Sequence, residues 1–409
     1  MHRIGLKTYL IFAGISALAV FIFIGGYLGG RARLLGRLRD ASKLLISNTN
    51  ANIPPGPPSD VGESQEYAEL NNLLDARLSA QHQETMYWTE LLETNNINEQ
   101  LLIKNKLQTE FLKFLTPWPG PRTYQEPKKE FWFSKDGITA YLIKQETHPD
   151  VHLTSLLLVP DEITLPAPAL LLLHGYGGNL NSIISDIDYH HGFGFDLAKK
   201  GFIILAPLRI ATTVDTRNTL YLKSLASGWN LEAIELHQLV QLVDYLYALN
   251  EVDSDHVGVY GISLGGQHAL RLSALDSRLS LTISSGYFAD RFSWLLMRES
   301  ASAASQVSEE MMQFISPLDN VLFEPSMGFL FSDLNLIALL QPRFLGIEIG
   351  TEDPRYESAM TEYEKVALLY EHVGQSERTS FLPFNGGHEV SVQNVLPFLE
   401  QWLNEPVLD

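Results

Sequence analysis

The sequence predicts an α/β fold in which a mostly parallel β-sheet is covered by helices on both faces. Short apolar runs at residues 169–173 (ALLLL), 202–206 (FIILA) and 257–260 (VGVY) have the composition of buried strands. Between such runs lie segments of helical character, and residues 231–249 place leucine, valine and tyrosine along one helical face. Strands that alternate with helices are typical of a parallel sheet with helices on each side.

The N-terminal segment at residues 8–30 contains no charged side chain. It is long enough to cross a bilayer as a helix. A cleaved signal peptide is the alternative, since Ala17-Leu18-Ala19 offers small residues at a suitable spacing. The apolar run continues as far as Ile24, which favours an uncleaved anchor. Lysine and arginine are in excess after the span, which favours a single-pass protein whose main domain is cytoplasmic.

The segment after the anchor is rich in Pro, Asn, Gly and Ser, as expected for a linker, and is followed by leucines at helical spacing. Asn95, Asn96 and Asn98 are expected to break this helical region into two helices. Its heptads are not sustained, so packing onto the domain that follows is favoured over a coiled coil or partner-binding role. The predicted division is a membrane anchor with a basic juxtamembrane segment (1–40), a linker (41–65), a helical N-terminal extension (66–121) and the α/β domain (122–409), whose candidate catalytic residues are described next.

The α/β domain is expected to open with strand-like runs at residues 131–143 and 152–159 and a turn at Lys135-Asp136-Gly137. The apolar run at 169–173 then ends in His174-Gly175-Tyr176-Gly177-Gly178. Glycines at this place allow backbone N–H groups to approach a substrate oxygen. This loop is therefore a candidate oxyanion hole.

A Gly-x-Ser-x-Gly motif at residues 261–265 is placed between a predicted strand and a segment of helix-forming composition, QHALRLSAL. In a strand–turn–helix of this kind the turn is strained and the serine hydroxyl stands exposed above the sheet. A Cβ atom at Gly261 or Gly265 is expected to collide with the neighbouring helix or strand. Ser263 is accordingly the candidate nucleophile.

An acid and a histidine follow two later predicted strands. Asp353 comes soon after the run FLGIEIG, and His388 comes after the last strand-like segment. The resulting order, serine then acid then histidine, differs from the orders of chymotrypsin-like and subtilisin-like enzymes. Glu352 and Asp290 are alternative acids. The loop after the penultimate strand is the expected place for the acid, which favours Asp353.

With these residues assembled, the chain from about residue 126 to 403 resembles the α/β-hydrolase superfamily. Within that superfamily it is most similar to the dienelactone-hydrolase and acetyl-xylan-esterase-like serine esterases. Dienelactone hydrolases proper use a cysteine nucleophile, which this chain lacks, so the resemblance implies serine chemistry. The motifs that carry it are His-Gly-Tyr-Gly-Gly (174–178), Gly-Ile-Ser-Leu-Gly-Gly (261–266), Asp276 with Arg278, Pro342-Arg343 and Gly386-Gly387-His388.

The resemblance implies hydrolysis of a small carboxylic ester through an acyl-enzyme. Ser263 would attack the carbonyl carbon while His388 takes its proton and Asp353 stabilises the imidazolium. The N–H groups of Leu264 and Tyr176 would hold the oxyanion. This scheme needs no metal and no cofactor. A serine peptidase of the same fold, and a non-catalytic scaffold that binds partners through its N-terminal helices, are the alternatives, and the complete set of catalytic residue types favours the enzyme.

Three other histidines have a structural interpretation. His174 is expected to anchor its loop, because His388 occupies the position of the base. His190 and His191 are adjacent, as in some metal sites, but no carboxylate lies at a convincing ligand spacing. They are therefore expected to be solvated or bonded locally, and no metal site is predicted.

The long segment at residues 287–340 is expected to form a cap over the nucleophile, because it is too long for a simple connection between strands. Phe288, Phe292 and Trp294 are candidates to line an acyl pocket or to belong to the core. A closed pocket restricts acyl length, which predicts a preference for short acyl chains.

Composition excludes several classes of partner and chemistry. The chain of 409 residues has a formal net charge of -19, which disfavours nucleic acid, because phosphates would be repelled. Cysteine is absent, so disulfides, thiolate nucleophiles and cysteine-based zinc sites are excluded. The hydrophobic fraction of 45% is sufficient for a sizeable core.

Overall fold

The computed structural model describes most of the chain from residue 86 onward. The predicted membrane span at 8–30, the linker at 41–65 and residues 291–331 of the predicted cap lie outside the described residues. In the part that is described, no helix combines the length and the apolar character needed to cross a membrane. The described ranges are 86–120, 126–209, 214–290 and 332–406, with scattered helical residues between 69 and 80.

The chain divides into two compact units, Met1–Leu74 and Asp75–Asp409. The few described residues of the first unit are helical, and all elements named below belong to the second. The strands are β1 (Lys128–Lys135), β2 (Ile138–His148), β3 (Val151–Pro160), β4 (Ala167–Leu173), β5 (Ile203–Pro207), β6 (Val252–Ile262), β7 (Leu281–Ser285), β8 (Phe344–Gly350) and β9 (Thr379–Phe384). The α-helices are α1 (Tyr87–Leu92), α2 (Ile97–Phe114), α3 (Leu180–Ile184), α4 (Phe193–Ala198), α5 (Val214–Ala226), α6 (Leu231–Ala248), α7 (Leu264–Leu275), α8 (Asp333–Leu340), α9 (Tyr356–His372) and α10 (Val392–Asn404), and Ser376–Arg378 form a 3₁₀ turn.

The described strands form one nine-stranded sheet in the order β1-β2-β3-β5-β4-β6-β7-β8-β9. From β5 to β9 every neighbouring pair is parallel, whereas β1, β2, β3 and β5 pair antiparallel. The predicted mostly parallel sheet is confirmed, with an antiparallel edge. In a parallel sheet all carboxyl ends lie on one edge, and ligands of such sheets bind there.

Helices cover both faces of the sheet. Neighbouring side chains along a strand point to opposite faces, so one strand contributes to two core clusters. In β4, Leu171 and Leu173 pack in a core cluster with helices α6, α7, α8 and α9. Leu170 and Leu172 instead join the cluster formed with α3, α4 and α10. All four leucines are fully buried, which explains why the strand is apolar throughout.

The hairpin between β1 and β2 turns at Asp136 and Gly137. Their φ angles are 51° and 76°, and two consecutive positive φ angles are characteristic of the type I′ turn that matches strand twist. Glycine adopts such a φ without strain. The predicted turn at this place is confirmed.

The helical extension packs against the sheet-covering helices within the second unit. Leu107 and Phe111 of α2 are fully buried in the same cluster as α8 and α9. The backbone N–H of Trp88 donates to Oδ1 of Asn335 over 3.0 Å. The predicted break between its two helices is confirmed: α1 ends at Leu92, and Asn96 caps α2 by accepting the N–H of Asn98 over 3.0 Å.

Helix α8 corrects the end of the predicted cap. Residues 333–340 were expected to belong to the segment above the nucleophile, but Leu336, Ile337 and Leu340 are buried in the core cluster beside the sheet. The helix is almost entirely apolar on every side, as expected for a helix buried between other helices. This part of the chain is therefore a sheet-covering helix, and Phe288, at the start of the predicted cap, is also core.

Candidate active site

Ser263 stands at the turn between β6 and α7 with φ 56° and ψ −119°. A positive φ is strained for a residue that carries a Cβ atom. The N–H of Ser263 donates to the carbonyl oxygen of Ser285 at the end of β7 over 2.8 Å, which helps to hold the turn. A Cβ on Gly261 would overlap the backbone of Gly265, and one on Gly265 would overlap the carbonyl of Leu173. The predicted steric requirement for both glycines is confirmed.

The loop after β4 lies directly against this turn, since a Cβ built on Gly175 would stand 3.1 Å from Cβ of Ser263. His174 fixes the loop: its Nδ1 lies 2.8 Å from the carbonyl oxygen of Gly175, and its Nε2 accepts the N–H of Arg209 over 3.1 Å. Burial, reinforced by the Arg209 charge, lowers the pKa of His174 to about 3, so the ring is neutral. Its interpretation as a loop anchor is confirmed.

The two predicted oxyanion donors lie at the start of α7 and in the loop after β4. Leu264 is the first residue of α7, and the N–H groups of a helix's first turn have no partner within the helix. Tyr176 lies in the loop after β4, and its carbonyl oxygen accepts the hydroxyl of Tyr189 over 2.6 Å.

Asp353 and His388 are in contact across two loops at the carboxyl ends of β8 and β9. Oδ2 of Asp353 lies 2.7 Å from Nδ1 of His388. Oδ1 accepts the backbone N–H of Arg355 over 2.9 Å, so the carboxylate is held at both oxygens. The Asp353 side chain is 1% exposed and that of His388 is 18% exposed. The geometry is that of a carboxylate orienting an imidazole.

The charge states of this pair suit proton transfer. Burial raises the pKa of Asp353, but the hydrogen bond with His388 and the charge of Arg355 outweigh it and hold the pKa below its usual value. Burial lowers the pKa of His388, and the Arg355 charge adds to this effect against the opposing Asp353 contact. At neutral pH Asp353 is therefore ionised and His388 is neutral, the state in which it accepts a proton.

The alternative acids do not contact His388 in this way. Glu352 is exposed to solvent, and Asp290 is half-buried with its backbone N–H bonded to Oγ of Ser358. Of the three candidate carboxylates, Asp353 is the one that His388 binds.

Tyr189 connects the Asp353–His388 pair with the loop beside Ser263. Its ring stacks on that of His388 with centroids 5.7 Å apart, while its hydroxyl binds the carbonyl of Tyr176. A Cβ on Gly286, one residue beyond the partner of the Ser263 N–H, would lie 3.0 Å from the His388 ring. The Ser263 turn, the loop after β4 and the Asp353–His388 pair thus converge on one edge of the sheet, although no pattern in the sequence indicated the role of Tyr189.

A further buried acid, Glu348, was not identified from the sequence. Glu348 of β8 is fully buried and accepts the hydroxyl of Tyr260 over 2.5 Å and the N–H of Ser391 over 2.9 Å. Burial raises the pKa of Glu348 to about 7, against the lowering effect of these hydrogen bonds. The carboxyl joins the strand that precedes Ser263 to the loop that follows His388. A lone Glu inside an apolar run was its only sequence signal.

One cluster has the residue types of a metal site. Ligand atoms of Glu232, Glu235 and His268 lie within 4.8 Å of one another in the protein interior. Arginines already bind both carboxylates, with Arg271 2.7 Å from Glu232 and Arg217 2.6 Å from Glu235. A cation would have to compete with both guanidinium groups, so this donor set fits a buried ion-pair network rather than a metal.

His190 and His191 are bonded locally, as expected. His190 is buried between Asp188 and the N–H of Gly175. His191 is exposed, with its two ring nitrogens near Asp186 and Glu389. Phe292 and Trp294, the other candidates for an acyl pocket, lie outside the described residues.

The sheet order, the strained serine turn and the loops at its carboxyl edge define the α/β-hydrolase fold. Among solved structures, the chain is similar to a protein from Bacteroides fragilis that is assigned as an acetyl xylan esterase. The TM-score is 0.57 and the identity 17%, and the match covers 74% of this chain and 88% of that one. It is also similar to a glucuronoyl esterase from Solibacter usitatus, with a TM-score of 0.51 and 12% identity, covering 76% and 93%. These likenesses establish the fold.

Two hydrolases are similar to the chain in sequence, each over part of its length. YtaP of Bacillus subtilis, a protein assigned as a hydrolase, is 24% identical over 262 residues, which cover 60% of this chain and 81% of that protein. The 2,6-dihydropseudooxynicotine hydrolase of Paenarthrobacter nicotinovorans is 34% identical over 80 residues, only 20% of either chain. No family model matches the chain.

Proposed function

We propose that the protein is a serine hydrolase that cleaves carboxylic esters, with Ser263, His388 and Asp353 as its catalytic residues. The observation that carries the proposal is the 2.7 Å contact between Asp353 and His388 at the sheet edge where the strained turn holds Ser263. The esterase names of structures that share the fold support the same reaction class.

In this mechanism Oγ of Ser263 attacks the ester carbonyl carbon, and its proton passes to Nε2 of His388. Asp353 stabilises the imidazolium that forms. The N–H groups of Leu264 and Tyr176 bind the negative oxygen of the tetrahedral intermediate, and each well-placed donor of this kind contributes about 3 kcal/mol.

The intermediate collapses when His388 returns the proton to the leaving alkoxide, which departs as the alcohol. A water molecule then attacks the acyl-enzyme, with His388 again as base, and releases the acid and free Ser263. Each step uses only side chains of this chain and water.

Short acyl chains are the proposed substrates, on the hypothesis that part of the segment at 287–340 closes over Ser263. We expect kcat/KM for p-nitrophenyl esters to be highest between acetyl and butyryl and to fall with length, because each methylene that a closed pocket cannot hold costs about 1–3 kcal/mol. A maximum at decanoyl or longer would contradict short-acyl specificity. Absence of hydrolysis across the series would contradict the esterase assignment itself.

We also propose that the catalytic domain is tethered to a membrane by residues 8–30 and faces the cytoplasm. The uncharged run and the basic residues that follow it support this arrangement. The full-length chain is expected to stay in the membrane fraction after a carbonate wash, whereas the chain lacking residues 1–40 is expected to be soluble and active. Recovery of soluble protein trimmed near Ala19 would indicate a cleaved signal peptide instead.

A further inference from the structure

The backbone around Tyr176 is held by side chains on both sides. The N–H of Gly175 donates to Nε2 of His190 over 3.0 Å. The carbonyl oxygen of Gly175 lies 2.8 Å from Nδ1 of His174. The hydroxyl of Tyr189 donates to the carbonyl oxygen of Tyr176 over 2.6 Å. Because N–H and C=O point in opposite directions in a trans peptide, fixing the Gly175 carbonyl also fixes the direction of the Tyr176 N–H.

His190 belongs to a second carboxylate–imidazole pair, separate from Asp353 and His388. Oδ1 of Asp188 lies 2.7 Å from Nδ1 of His190 and also accepts its backbone N–H over 3.0 Å. Oδ2 of Asp188 accepts the hydroxyl of Ser182 over 2.6 Å. A proton on Nδ1 therefore points to Asp188, and Nε2 keeps the lone pair that accepts the N–H of Gly175.

The ring must be neutral for this arrangement to exist. A protonated His190 would turn an N–H toward the N–H of Gly175, and two donors do not bond. Burial lowers the pKa of His190 against the opposing effect of Asp188, so the neutral form prevails. The His190 side chain is 0% exposed, which prevents direct contact with a substrate in this arrangement.

We propose that Asp188 and His190 are positioning residues that aim the N–H of Tyr176 at the oxyanion. The proposal rests on the proposed function, since it requires an oxyanion to be stabilised. Asp188 sets the tautomer of His190, and His190 fixes Gly175. With the N–H of Gly175 held by His190 and its carbonyl oxygen next to Nδ1 of His174, the following Gly175–Tyr176 peptide is held with its N–H directed at the oxyanion. Neither residue touches the ester, and their effect is confined to the transition state.

Two substitutions of His190 separate this role from simple packing. His190→Asn keeps a donor near Asp188 but places no acceptor near Gly175, whereas the amide oxygen of His190→Gln reaches the place of Nε2. Removal of a whole oxyanion donor costs about 10²–10³ in kcat. We therefore expect His190→Asn to lower kcat for p-nitrophenyl butyrate by about 10–100-fold with KM unchanged, and His190→Gln to recover most of that loss.

A third substitution tests the next peptide along the loop, Tyr176–Gly177, without altering His190. Tyr189→Phe keeps the ring that stacks on His388 and removes the hydroxyl that binds Tyr176. We expect it to lower kcat about tenfold with KM unchanged, as partial loss of one donor would. Binding of a boronic acid, which forms a tetrahedral adduct with a nucleophilic serine, should weaken in parallel in Tyr189→Phe and His190→Asn.

The readouts are kcat and KM for the full-length chain, with the thermal unfolding midpoint of each variant as the control. Equal kcat losses in His190→Asn and His190→Gln, a change in KM alone, or wild-type kcat in His190→Asn would overturn the proposal. If His190→Asn does not fold, a kcat more than about tenfold below wild type in His190→Gln, which keeps the acceptor, overturns it instead. A wild-type chain that hydrolyses no ester contradicts the proposed function, whereas an active wild type with unaffected variants contradicts only the positioning role.

Discussion

Replacement of Ser263 with alanine is expected to lower kcat for p-nitrophenyl butyrate by about 10⁴-fold or more while the fold is retained. The hydroxyl is the group that would form the acyl-enzyme, and no neighbouring side chain replaces it in the proposed mechanism. Alanine removes only one oxygen from a half-buried position, so the turn and its hydrogen bond to Ser285 can persist. The measurement is steady-state hydrolysis together with the circular dichroism spectrum.

A fluorophosphonate probe provides an independent readout, because it labels serines that are activated as nucleophiles. Wild type should be labelled and Ser263→Ala should not. Ser280→Ala is a matched control, since the hydroxyl of Ser280, just before β7, donates to the carbonyl oxygens of Asp255 and Val257 within β6, away from the turn. Labelling of Ser263→Ala would show that another residue is the nucleophile, and an unlabelled, inactive wild type would favour a non-catalytic scaffold.

Replacement of Asp353 with asparagine is expected to lower kcat by as much as about 10⁴-fold, because an amide allows the wrong His388 tautomer. Asparagine keeps the size of the side chain, so the backbone N–H of Arg355 can still be accepted. The loss should appear in kcat more than in KM, since the carboxylate acts on the imidazolium formed in the transition state.

Glu352→Gln and Asp290→Asn are the matched controls, because each removes one carboxylate near the site without removing a hydrogen bond to His388. Each is expected to retain activity within a few-fold of wild type, as substitutions outside the reacting groups usually do. Equal losses in all three variants would contradict the assignment of Asp353 as the acid.

Much of this site was predictable because it depends on short-range sequence. The strand and helix that flank Ser263 are adjacent in the chain, and the two glycines are required by contacts that any strand–turn–helix of this type makes. Asp353 and His388 were placed by a simple rule, that loops after parallel strands meet on one edge of a sheet. The 2.7 Å contact between them agrees with that rule.

The remaining features depend on contacts between distant segments. Nothing in a single segment shows that Tyr189 stacks on His388 or that His190 accepts the N–H of Gly175. The antiparallel edge of the sheet was not foreseen, because a buried strand has the same apolar composition in either direction. The cap was predicted from the length of the segment, but its last residues, 333–340, form helix α8 beside the sheet.

The packing of α1 and α2 has a consequence for how the protein unfolds. The region that resembles hydrolases begins near residue 126, yet Leu107 and Phe111 are fully buried in the core formed with α8 and α9. Loss of one buried leucine or phenylalanine side chain costs about 2–5 kcal/mol, a large part of a typical domain's stability. The cooperative folding unit therefore extends N-terminal of the hydrolase-like region. A chain trimmed to begin near residue 126 would lose part of its core.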